Sequence, residues 1–128
     1  MIFRKEGFTL IEVLIGTIFL AIGLLAIASL QVTSVRGNYF SNNLTQATYV
    51  AQDRLEFLKN LALNDPSLGI GDHPDGTATT TYTGLTFNRS YTVESVPDPN
   101  GSYLRINYSV QWNDGVAHNL SFSTIRSE

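Results

Sequence analysis

The feature that most constrains this chain is an apolar run over residues 8–30 that carries a single charge, Glu12. As a helix it reaches roughly 35 Å, enough to cross a hydrocarbon core of about 30 Å. Arg4 and Lys5 precede it, which predicts a cytoplasmic start and a chain that continues outside the membrane. An acid inside a membrane helix costs about 2.5–3.5 kcal/mol on insertion scales, and less near a helix end. Glu12 therefore needs a partner that the isolated span does not supply. An ordinary single-span anchor leaves the acid unexplained. A removable secretory signal fits the basic start and Ala26-Ile27-Ala28, but its apolar core would contain no acid.

The third reading rests on Gly7-Phe8-Thr9-Leu10-Ile11-Glu12-Val13-Leu14-Ile15, which resembles the processing signal of type IV pilins and type II secretion pseudopilins. The resemblance implies cleavage after Gly7 by a prepilin peptidase and N-methylation of the new terminus, Phe8, by the same enzyme. It implies that Glu12 faces the Phe8 ammonium of a neighbouring subunit. A carboxylate paired in this way in a low-dielectric bundle is strongly attracted, whereas a lone one is unfavourable. Arg4 and Lys5 then belong to a leader, residues 1–7. Since Arg4, Lys5 and Glu6 together carry +1, processing takes the net charge from −3 to −4. That mild acidity leaves no electrostatic footprint for nucleic acid. The chain has no cysteine, so disulfides and thiolate chemistry are excluded.

Beyond the span, no proline occurs before Pro66, and Phe40, Leu44, Ala47, Ala51, Leu55, Leu58 and Ala62 keep helical spacing. These residues predict that one helix runs over about 8–63, its membrane half at 8–30 and its amphipathic half at 31–63. Arg36-Gly37-Asn38 is its weak point, read as a tolerated irregularity or a bend. Gly16 and Gly23 lie seven residues apart on one face, which suits close approach of other membrane helices.

From Asn64 the composition changes to that of a head, residues 64–128. A loop is expected up to about Thr79, followed by a weak strand at 80–83 and stronger ones at 86–96, 103–112 and 116–125. Leu104, Ile106, Tyr108, Val110 and Trp112 alternate with polar residues, as in a sheet with one buried face. Asn113-Asp114-Gly115 marks a tight hairpin. A helix stripe and a sheet face that are each unstable alone cover one another, so the expected fold is α+β. A long N-terminal helix packs on a small antiparallel meander of three or four strands, which is the architecture of pilins.

No nucleophile or acid–base constellation stands out, and the chain is not expected to be an enzyme or to need a cofactor. Asp72-His73-Pro74-Asp75 is read as solvated loop rather than as a metal site. Tyr49, Tyr82, Tyr91, Tyr103, Tyr108 and Trp112 are assigned to core and hairpin packing. Residues 21–31, the hairpin at 110–115 and the closing strand at 120–125 are similar to type IV pilus modification proteins, a group of minor pilins. The resemblance implies a minor pilin that primes or joins a pilus fibre. Its partners would be the peptidase, sister minor and major pilins, the assembly platform and the inner membrane, with the head periplasmic. A type II secretion pseudopilin is the alternative within the family. A membrane-anchored enzyme or binding protein is the alternative outside it.

Overall fold

The computed structural model describes residues 7–80 and 84–127. Arg4 and Lys5, most of the weak strand expected at 80–83, and Tyr82 lie outside the described residues. Helix α1 runs over Leu10–Asn60 without a break at Arg36-Gly37-Asn38. Thr9 caps it. The Thr9 carbonyl accepts from the backbone N–H groups of Glu12 (3.0 Å) and Val13 (3.2 Å), and its hydroxyl accepts from Glu12 N–H at 3.3 Å. Lys59 sits in the last turn, where a cation suits the helix dipole. A 3-10 turn at Pro66–Leu68 follows, capped by the Asp65 carboxylate, which accepts from Ser67 N–H at 2.8 Å.

The chain divides into two compact units, residues 1–41 and 42–128. In the first, every described side chain is exposed, including Phe8, Leu10, Phe19 and Leu25. The apolar part of α1 is long enough to span a membrane.

The second unit contains the sheet, with strands β1 (Gly71–Thr79), β2 (Thr86–Asp98), β3 (Gly101–Asn113) and β4 (Ala117–Ser127). They form an antiparallel meander in the order β1-β2-β3-β4. β3 supplies five buried residues at period two: Leu104, Ile106, Tyr108, Val110 and Trp112. Phe87, Tyr91 and Val93 from β2 extend the same face. Ala47 and Ala51 of α1 meet that face with zero exposure, joined by Leu55 and Leu58. Small residues on the helix let the large rings of the sheet fill the space between the two layers.

Three expectations are corrected. Residues 71–79 form strand β1 rather than a loop. The sequence Gly71-Asp72-His73-Pro74-Asp75-Gly76 looks unsuited to a strand, yet it pairs with β2 around a bulge between Pro74 and Thr77. Gly76, at φ +73°, takes the left-handed conformation inside that bulge. The buried stripe of α1 is Asn43, Ala47, Ala51, Leu55 and Leu58, while Phe40 is 41% exposed and Ala62 falls beyond the helix end. Finally, Tyr49 is exposed on α1 rather than packed.

Candidate functional site

The N-terminal segment presents an acid at the start of an otherwise apolar helix. Gly7 and Phe8 precede the first turn, and Phe8 is 82% exposed. Thr9 and Glu12 occupy the N-cap and N3 positions, so Glu12 lies where the helix dipole favours a negative charge. Among the described residues no cation pairs with it.

Along and just past the apolar stretch, three hydroxyls donate to the helix's own carbonyls. Thr17 donates to Leu14 O at 2.8 Å, Ser29 to Ala26 O at 2.8 Å and Thr33 to Ser29 O at 3.1 Å. Such back-bonding removes the penalty of bringing a hydroxyl into lipid. Gly16 and Gly23 have open space where a Cβ would stand. Each destabilises the helix by about 0.5–1 kcal/mol relative to alanine, and nothing in the chain's own fold requires either one.

The head is braced by two partly buried polar clusters that join α1 to the sheet. The first centres on Asp75, which the bulge in β1 aims toward α1. Arg54 clamps its carboxylate through two hydrogen bonds, Nε to Oδ2 at 2.8 Å and Nη2 to Oδ1 at 2.5 Å. The Tyr108 hydroxyl donates to Oδ2 at 2.5 Å. Arg89 donates to the Asp75 carbonyl at 2.8 Å, and its Nε lies 4.0 Å from Oδ2. Burial alone would raise the Asp75 pKa. Hydrogen bonds from Arg54 and Tyr108, with the charges of Arg54 and Arg89, outweigh it and hold the group below its usual range. Burial, then the hydrogen bond to Asp75, pushes the Tyr108 phenol up. One carboxylate thus ties together α1, β1, β2 and β3.

The second cluster pins the β3–β4 hairpin. Asn43, fully buried on α1, donates from Nδ2 to Asp114 Oδ2 at 2.9 Å, and His118 Nε2 lies 2.9 Å from Asp114 Oδ1. The Asn43 hydrogen bond is the first cause holding the Asp114 pKa down. His118 also stacks on Trp112 at 5.1 Å.

No protein-family profile, curated protein or solved structure matches this chain. Its geometry therefore carries the functional argument.

Asp72 and Asp75, considered together as cation ligands, separate in the strand. The Asp72 carboxylate accepts from Thr92 Oγ1 at 2.7 Å, while Asp75 turns inward to Arg54. Among the described residues no three His, Cys, Asp or Glu side chains cluster as a metal site. Sequence reasoning missed the Asp75 and Asn43 clusters. The signal for the first was Asp75-Gly76, a bulge-compatible pair inside a proline-bearing stretch. The signal for the second was a lone amide within an alanine-rich stripe.

Proposed function

We propose that this chain is a minor pilin of a type IV pilus, processed after Gly7 and incorporated in or priming the fibre through its N-terminal helix. The observation that carries the reading is that α1 serves two purposes without a linker. Its early turns expose an apolar surface with Glu12 as the only charge over residues 8–30, and its later turns form one wall of the head's core. A span that merely tethered an independent enzyme or binding domain would have no reason to continue as that domain's central helix.

In this reading Arg4 and Lys5 hold the leader on the cytoplasmic side, and the head lies across the membrane. Cleavage frees the amino group of Phe8, which is then methylated and stays cationic. Glu12 on an adjacent subunit neutralises it, so the cost of a carboxylate in lipid falls only when helices assemble in register. Gly16 and Gly23, open in the protomer, allow those helices to approach closely.

Glu12→Ala is expected to leave cleavage and membrane insertion intact while depleting the chain from sheared surface fibres. Recovery of the variant in fibres at wild-type levels would refute the pairing.

A further inference from the structure

The two edges of the sheet differ. The outer edge of β1 is blunted in two ways: Pro74 removes a backbone donor, and the bulge at Asp75-Gly76 breaks the ladder. The outer edge of β4 has neither of these devices. It is eleven residues long, pairs with β3 in unbroken register from Asn113↔Ala117 to Tyr103↔Ser127, and contains no proline. Among the described residues no strand pairs with that edge. An unprotected edge of this length is a template for another strand.

A second observation concerns the inward face. β4 has no fully buried residue, whereas the neighbouring β3 has five. Paired residues His73, Tyr91, Tyr108 and Phe122 form a row of rings across the sheet, and the row ends at half-buried Phe122. Beside Phe122 lies a groove of about 510 Å³ between α1 and β4, with Leu55 on its floor and Gln52, Glu56 and Lys59 on its wall.

From these features we infer that the β4 edge is an assembly surface that accepts, antiparallel, the edge strand of a different membrane-anchored subunit, one of whose side chains packs on Phe122 and Leu55 at the groove and meets its polar wall. Backbone hydrogen bonds would supply affinity, and the groove would select the side chain. The sheet itself argues for a different chain. In a continuous sheet, pairing β4 with the β4 of a second copy requires a two-fold axis normal to the sheet. Such an axis sets the two α1 segments, residues 43–58, antiparallel, whereas neighbouring helices rising from one bilayer run parallel. Pairing β4 with the β1 of a second copy meets the blunted edge. The surface therefore has a single valence and does not propagate. The choice of partner rests on the membrane-anchored reading above, while the open edge does not.

The test uses the full chain in its native membranes, with a photoreactive benzoylphenylalanine placed in turn at Asn119, Ser121 and Ser123, and at Thr77 as the β1 control. All four side chains are exposed, so each variant is expected to fold. Attachment sites are read by mass spectrometry of the adducts. The expected result is a ladder on one other membrane-anchored chain. Each two-residue step along β4 moves the attachment site two residues the opposite way, and Thr77 gives no ladder. Adducts on residues 117–125 of a second copy, scattered attachment without a ladder, or no adduct from any β4 position would each overturn the proposal. Sequencing the mature N-terminus separates the two readings, because an unprocessed chain that still gives the ladder would remove the pilin assignment and retain the edge.

Discussion

Replacing Asp75 with alanine tests whether the partly buried ion cluster holds the head together. The substitution leaves the Arg54 and Arg89 guanidiniums beside one another without a counter-ion, and it removes the acceptor of the fully buried Tyr108 hydroxyl. Breaking a buried pair by deleting one partner costs about 3–5 kcal/mol. Here the lower end applies, because the Arg54 and Arg89 side chains keep 29% and 19% of their exposure and water screens them. A loss of about 3 kcal/mol is a large share of the 5–15 kcal/mol typical of a domain. With a slope of about 1–1.5 kcal/mol per molar urea, the midpoint falls by roughly 2–3 M. Trp112 is the only tryptophan and is 4% exposed, so its fluorescence reports unfolding of the full chain in detergent micelles. Arg54→Met should cost less, since Asp75 keeps Tyr108 and the charge of Arg89. A midpoint shift below about 0.5 M for Asp75→Ala, or a larger loss for Arg54→Met, would show that the cluster does not brace the fold.

Other outcomes follow from the same geometry. Because the Asp75 pKa is depressed in the folded chain, its contribution is full above the unfolded carboxylate value of about 3.9. It is lost as pH falls through the lower folded value, so acid titration of stability should be flatter in Asp75→Ala than in the native chain. Ala51→Leu, at zero exposure between helix and sheet, should destabilise the head by about 1–3 kcal/mol through overpacking, measured in the same urea titration. Gly37→Ala meets nothing within 4 Å and should stabilise α1 by about 0.5–1 kcal/mol, seen as slower amide exchange around residue 37.

The membrane half of the helix was legible as an unbroken apolar run, and its later half and three of the four strands because their apolar residues repeat at about 3.6 or 2 residues. Tyr103 to Trp112 alternates so regularly that its inward row matches the buried residues of β3. β1 was not legible, because its sequence, GDHPDGTAT, carries no alternation of apolar residues. It is a strand because β2 offers a ladder and because Asp75 finds Arg54 and Tyr108, partners 21 and 33 residues away. No local pattern encodes such partners. Asn43 was hidden in the same way. An amide in a core stripe is unfavourable until the hairpin tip brings Asp114 to it. The candidate assembly residues at the N-terminus were readable as a motif because their chemistry is local: Gly7, Phe8 and Glu12 lie within six positions.

The fate of the N-terminus in the cell decides most directly whether the chain is a pilin. Intact-mass and peptide mass spectrometry of the chain isolated from its native membranes should find residues 1–7 gone and an N-methylated Phe8 at the start. A chain that retains Met1, or one trimmed beyond Ala28, would contradict the pilin reading.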